Sequence, residues 1–185
     1  HSDLETLWMG DGSSNITVMN SWFHDTSVAN PQWGEAIYIG KWDQPLKMAT
    51  DVQILNNRFG PNVMAEGVDV KYGPNRLFIR ANTFDAPGAH FIDGETAMLL
   101  QVSASYVTID SNYFQYGHPH GVAYYPYNAL PMTGNVATRN TMDLQNLGNW
   151  PGPVYGFEMN VNTAATISCN NVMISGKLTN IACTP

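Results

Sequence analysis

The sequence has little charge. Only 12% of its 185 residues are charged, about half the fraction usual in soluble proteins, and just 8 are Lys or Arg. So few cations exclude a broad basic surface that would neutralise phosphates, and we therefore expect no nucleic-acid partner. The same shortage disfavours coiled coils and long solvent-facing helices, whose outer faces are built from Glu, Lys and Arg.

Long apolar runs and cysteines are also scarce. No apolar segment approaches the ~20 residues that a membrane-spanning helix needs, so we expect no membrane partner. The two cysteines, Cys169 and Cys183, can form one disulfide near the C-terminus, and two free thiols are the alternative. Few lysines and a net charge of −7 fit a secreted, extracellular protein. His1 in place of an initiator methionine indicates a processed or truncated start.

Two residue patterns alternate along the chain. One of them, called the second pattern below, is a small residue followed by an apolar–variable–apolar alternation, as in 35–40 and 66–71. Its period of two residues is typical of a β-strand that buries one face. The first is a short apolar segment that ends in Asn and then a bulky apolar residue. The bulky residues of its six copies, 25 to 36 residues apart, are Phe23, Phe59, Phe84, Phe114, Met142 and Val172.

A repeat of this regularity indicates a solenoid. No segment has a sustained period of 3.6 residues, which disfavours helical repeats. Leucine-rich repeats need Leu where this chain has Ile, Val, Met and Phe. The remaining architecture is an all-β, right-handed parallel β-helix of about six coils, a single domain over 1–185, with strands stacked about 4.8 Å apart. Because stacked Asn side chains hydrogen-bond to their copies in neighbouring coils, we expect an Asn ladder at one turn.

The patterns in 34–40 and 66–71, together with the Asn-rich end of the chain, resemble secreted parallel β-helix repeat proteins of the pectate-lyase-like superfamily. The resemblance covers nearly the whole chain and implies a carbohydrate-active protein with a polysaccharide as its partner. Members of that superfamily begin with a cap and further coils, whereas this chain enters the repeat almost at once. The resemblance therefore predicts further N-terminal coils, and open β-helix ends would permit self-association.

Alternate residues of the second pattern face outward and form a stripe across the coils. In this alignment Gln101 stands opposite Lys71. The histidines at 118 and 120 could form a patch that binds sugar or a metal, and a plain rim loop is the alternative. The residues predicted to bind substrate are Tyr38, Asp69, Gln101, Tyr125, His118 and His120.

Three glutamates recur at one position of successive copies of the second pattern, namely Glu5, Glu35 and Glu66. Stacked carboxylates one coil apart repel each other unless a cation or a proton relieves the repulsion. Calcium, which binds through oxygen ligands, would do so. The alternative is a solvated corner whose side chains fan outward.

The pair Glu66 and Lys71 resembles the Glu-x4-Lys pattern of polysaccharide lyase family six, which includes alginate lyases and chondroitinase B. In that family the glutamate helps to bind calcium and the lysine is the general base. Carried over, Glu66 and Glu35 are metal ligands and Lys71 removes the proton beside a uronate carboxylate. His90 is the candidate acid for the leaving oxygen. The resemblance thus implies a β-eliminating lyase acting on an acidic polysaccharide.

Two differences from that family favour another reading. Met64 stands where the family has a second glutamate, and the stretch 90–93 lacks the family's arginine. The alternative function is a non-catalytic module that binds glycan or forms a structural surface. Lys71 is then a surface lysine paired with a neighbouring carboxylate.

Overall fold

The protein is described here from a computed structural model. The described residues are 5–27, 29, 31–44, 48–72, 74–85, 98–115, 120–126, 131–144, 152–160 and 163–185. Within these ranges the chain forms three parallel sheets and a 3₁₀ turn at Pro31–Trp33.

Each sheet takes every third strand of the chain. Sheet A contains β1 (Leu7–Met9), β4 (Ile37–Ile39), β7 (Val68–Val70), β10 (Met98–Val102), β13 (His120–Tyr124), β16 (Tyr155–Met159) and β19 (Lys177–Thr179). Sheet B contains β2 (Ser14–Met19), β5 (Thr50–Leu55), β8 (Pro74–Arg80), β11 (Ser105–Asp110), β14 (Asn135–Thr138) and β17 (Ala165–Ile167). Sheet C contains β3 (Trp22–Phe23), β6 (Arg58–Phe59), β9 (Thr83–Asp85), β12 (Tyr113–Gln115), β15 (Thr141–Asp143) and β18 (Val172–Ser175). Successive coils thus stack strand on strand, and the predicted parallel β-helix is confirmed.

A column of large apolar side chains fills one corner of the core. The rings of Phe23, Phe59, Phe84 and Phe114 stack with centroids 5.3, 4.7 and 4.6 Å apart. Met142 continues the column, because it pairs with Phe114. The predicted last member, Val172, is wrong: Met142 pairs with Met173, and Val172 is exposed. The physical reason is that Asn171 occupies the ladder position, which moves the inward residue one place along the chain.

The predicted Asn ladder lies beside this column, at the turn between sheets B and C. The side-chain amide of each Asn donates to the Oδ1 atom of the next, over distances of 2.9 to 3.1 Å. Each amide also donates to a backbone carbonyl of the preceding coil. In the first coil Ser21 replaces the amide, and its backbone N–H donates to Asn57. The members are Asn57, Asn82, Asn112, Asn140 and Asn171.

The last coil is closed by a disulfide. Cys169 and Cys183 are bonded, with their Cα atoms 5.2 Å apart, so the predicted bridge is confirmed. A backbone bridge between Ser168 and Thr184 lies directly beside it. In the described part of the chain, no helix is long and apolar enough to cross a membrane.

Candidate functional site

A local reversal of the strand alternation builds the outer face of sheet A. Gly67 faces the core, where a Cβ atom would lie 2.7 Å from the Phe84 ring, and the next residue, Val68, is also fully buried. Two successive residues therefore point inward. As a consequence, Glu66 shares the outer face with Asp69 although the two are three residues apart.

One row of outward residues crosses sheet A in register, as the predicted stripe required. Its members, in order of coil, are Trp8, Tyr38, Asp69, Gln101, Ala123 and Glu158. The expected partner of Gln101 was wrong, because Gln101 pairs with Asp69 rather than with Lys71. Ser103 lies beside Lys71 instead, and its backbone N–H donates to the Val70 carbonyl. Three successive residues from Met98 are all apolar, so the sequence does not show which of them face the core.

An acidic cluster lies at the centre of this face. One carboxylate oxygen from each of Glu35, Glu66 and Asp69 lies within 4.8 Å of the other two. Glu35 is 5% exposed and Asp69 1% exposed, whereas Glu66 as a residue is half-buried. The solvated corner considered above is therefore wrong for Glu35.

Lys71 is buried within the same cluster rather than on the surface. Its Nζ atom lies 2.7 Å from Oδ2 of Asp69, and its side chain is only 8% exposed. The same Nζ atom lies 5.7 Å from the centroid of the Tyr38 ring. The four groups bring together three carboxylates and one ammonium, which leaves excess negative charge when all are ionised.

Burial and mutual repulsion raise the pKa values of the two glutamates. Loss of solvent and the neighbouring Asp69 raise the pKa of Glu35 to about 7. The same two causes, in the same order, raise the pKa of Glu66 to about 8. Lys71 opposes both shifts without cancelling them. Burial and Asp69 also raise the pKa of the Tyr38 phenol above its usual range, so Tyr38 keeps its proton at neutral pH.

We expect the metal-free protein to lose stability as the pH rises from 4.5, the ordinary glutamate pKa, to about 8. The folded state holds protons on Glu35 and Glu66 across this range, whereas the unfolded chain releases them, so the free energy of unfolding must fall. Urea unfolding in EDTA at several pH values measures the slope. Glu66→Gln should flatten it, and Asp43→Asn, at an exposed site, should not. Equal slopes in both variants would contradict the assignment.

The cluster can hold a metal ion. A calcium ion binds oxygen atoms at about 2.3–2.6 Å, so two of its ligands lie at most about 5 Å apart, which the cluster satisfies. Among the described residues, Oε2 of Glu35 is buried without a hydrogen-bond partner, which is the state of an oxygen available to a cation. The donor set of three carboxylates suits a hard divalent ion.

Of the other five predicted site residues, the structure describes three. Gln101 is buried, and its amide nitrogen lies 3.4 Å from Oγ of Ser103. His120 begins β13 on sheet A rather than a rim loop, and burial lowers its pKa to about 4. Tyr125 follows the same strand and is half-buried. His90 and His118 lie outside the described residues.

Two residues of this face were not among the predicted site residues. Trp8 occupies the first place of the outward row and is 47% exposed. Glu158 occupies the last place, with Oε2 3.6 Å from Nε2 of His120. The alternation of the second pattern had already placed both residues on the outward stripe. That position was the sequence signal that could have identified them as site residues.

Comparison with solved structures identifies the fold. An alginate lyase from Paenibacillus sp. str. FPU-7 matches with a TM-score of 0.74 at 21% identity, over 99% of this chain and 62% of that chain. The Streptococcus pneumoniae surface protein and adhesin PfbA matches with a TM-score of 0.62 at 18% identity, over 95% of this chain and 49% of that chain. Both matches support the parallel β-helix fold of this chain.

The chain spans less than two thirds of the length of both proteins, 62% and 49%. At these identities the likeness concerns the fold, and chemistry must be argued from the residues of this chain. No protein-family model and no curated protein sequence matches the chain.

Proposed function

We propose that this is a secreted β-helix protein that cleaves an acidic, uronate-containing polysaccharide by β-elimination on the outer face of sheet A. The observation that carries the proposal is a buried lysine, Lys71, set between a carboxylate at 2.7 Å and a tyrosine ring at 5.7 Å. The disulfide and the similarity to a lyase and a surface adhesin support an extracellular setting.

β-Elimination needs a base and an acid at the two ends of the reacting bonds. Lys71 takes the proton from the ring carbon that bears the carboxylate. The C–H electron pair becomes the new C=C bond while the glycosidic C–O bond breaks. Tyr38 donates its phenolic proton to the leaving oxygen, since its raised pKa keeps it protonated. Lys71 acts as a base only in its neutral form. A cation held by the carboxylates would favour that form, since it would repel the ammonium that Asp69 otherwise stabilises at 2.7 Å.

The acidic cluster provides the place for a cation. Glu35, Glu66 and Asp69 would hold calcium, and bound calcium would neutralise the uronate carboxylate and so acidify the neighbouring carbon. Without a cation or protons, these carboxylates would repel an anionic polymer. The cluster therefore links substrate binding to the neutralisation of Glu35 and Glu66.

We expect the protein to form an unsaturated, ultraviolet-absorbing product from alginate, pectate or chondroitin sulfate, and calcium to raise the rate. Initial rates on each polymer, with calcium and with EDTA, measure both effects. Glu35→Gln should remove the response to calcium, whereas Asp43→Asn, an exposed carboxylate that is not part of the cluster, should retain it. A protein that releases no product from any of the three polymers is not this lyase.

A second candidate function is a non-catalytic glycan-binding module. Three carboxylates face one lysine on sheet A, an excess of negative charge that suits the hydroxyl groups of a neutral sugar better than a uronate. The adhesin among the similar structures is consistent with this function. Retained glycan binding without product in the assay above would support it.

A further inference from the structure

The outward row begins with Trp8, two strands of sheet A before Lys71. Trp8 pairs with Tyr38, which in turn pairs with Asp69. At the next outward position, Gly40 of the second coil lies beside Lys71 of the third. The backbone N–H of Lys71 donates to the Ile39 carbonyl. The indole therefore lies on the N-terminal side of the lysine that we propose as the base.

Two glycines form the seat of this indole. A Cβ atom on Gly10 would lie 2.5 Å from Cζ2 and 2.9 Å from Cε2 of Trp8, so the ring occupies the space over Gly10. The indole Nε1–H donates to the carbonyl of Gly40 over 2.8 Å. Gly40 itself has a φ of +88°, and a Cβ there would lie 2.6 Å from the Lys71 carbonyl oxygen. The ring is thus held across the first two coils, and it is bonded to Gly40, whose neighbour in the next coil is Lys71.

The seated ring is still 47% exposed. A rigid aromatic surface loses little conformational entropy when a ligand stacks on it, because its rotamer is already set. An exposed ring in a fixed position, in line with polar groups, has the chemistry to pack against the C–H face of a sugar ring. The neighbouring Tyr38 and Asp69 then meet the polar groups of the adjacent sugar along the same row, with Lys71 bonded to Asp69 beside them.

Resting on the proposed function, we infer that Trp8 is the stacking platform of a sugar subsite on the N-terminal side of Lys71. The polymer lies along the outward row and crosses the strands of sheet A. Gly10 is a positioning residue for this subsite, since it acts only through the space that it leaves for the indole.

The chain contains a matched control for Trp8. Trp22 also lies in the first coil, is 57% exposed, and donates its indole N–H to a glycine carbonyl of the next coil, that of Gly60. It lies on sheet C, however, away from Lys71. Loss of a surface tryptophan as such should therefore affect both positions alike, whereas loss of a sugar platform should affect only Trp8.

The experiment compares Trp8→Ala, Gly10→Ala and Trp22→Ala on alginate, pectate and chondroitin sulfate. We expect Trp8→Ala to raise KM roughly 3- to 10-fold, the worth of one aromatic contact, with little change in kcat. Gly10→Ala should raise KM in the same way while Trp8 remains present. Trp22→Ala should leave KM unchanged. Tryptophan fluorescence of Trp8→Phe should lose the response to added polymer that Trp22→Phe retains.

The outcomes separate the two hypotheses. If the unmodified protein acts on a polymer but Trp8→Ala and Trp22→Ala behave alike, the platform is wrong and the lyase stands. If polymer is bound without cleavage, the same comparison is made on Kd, and equal values for the two variants again overturn the platform. If no polymer is bound or cleaved, both are wrong. A change of oligomeric state in Trp8→Ala at unchanged KM would instead identify Trp8 as a protein contact and overturn the subsite.

Discussion

Replacing Lys71 by alanine is expected to lower kcat on a polyuronide by roughly 10³-fold, the usual worth of a general base. The side chain is buried, bonded to Asp69 at 2.7 Å and close to the Tyr38 ring, so its removal leaves the position of the proposed base empty. KM should change much less, because the aromatic and hydroxyl contacts to the polymer remain. Initial rates of formation of the unsaturated product measure both parameters.

Two further variants decide whether Lys71 is a base or only a cation. Lys71→Arg keeps the positive charge but holds its proton at all working pH values, so we expect it to be as inactive as Lys71→Ala. Lys177→Ala, an exposed lysine on the last strand of sheet A, should retain full activity. Substantial activity in Lys71→Arg would mean that Lys71 only attracts the substrate, and the proposed proton transfer would then be wrong.

Replacing Asn112 by alanine is expected to lower the free energy of unfolding by about 3–5 kcal/mol, since several buried polar groups lose their partners at about 1–3 kcal/mol each. The Asn112 amide donates to the Ile79 carbonyl and to Asn140, over 2.9 and 3.0 Å. Its Oδ1 atom accepts from the backbone N–H and the side-chain amide of Asn82, both at 2.9 Å. Urea unfolding at fixed pH measures the loss.

The first coil provides the control for this substitution. Ser21 occupies the ladder position there, and its hydroxyl donates to the Met19 carbonyl in an exposed setting. Ser21→Ala should cost less than about 1 kcal/mol, the net worth of one exposed hydrogen bond. If the two variants lose similar amounts of free energy of unfolding, the Asn ladder contributes no more to stability than an ordinary exposed hydrogen bond.

The fold could be predicted from the sequence because each coil repeats the same local requirement. A Phe or Met must fill the corner column, an Asn must satisfy buried backbone groups beside it, and a small residue such as Gly67 must pass under the column. These requirements act on single residues at a fixed period, so they are written directly into the chain. The low charge content has the same origin, because a wall of stacked coils tolerates amides better than like charges.

The pairing register between neighbouring strands was predicted less well where several adjacent residues could fill the same position. A slip of two residues leaves the inward and outward faces of a strand unchanged, so alternation alone did not place Gln101 opposite Asp69. In the last coil, Asn170 and Asn171 offer two neighbouring amides, and only the pairing with Asn140 selects the second. In both cases the choice depends on contacts with the coil next door.

By itself, the sequence determined the parallel β-helix, the Asn ladder and the group of charges that includes Glu35, Glu66 and Lys71. Only the tertiary structure decided their environment. The reversal at Gly67 and Val68 turns Glu66 onto the face of Asp69, and the packing of neighbouring coils buries Lys71 and Glu35. Burial is a property of surroundings that no local pattern encodes. It is burial that raises the pKa values of the glutamates and gives these few charges their chemistry.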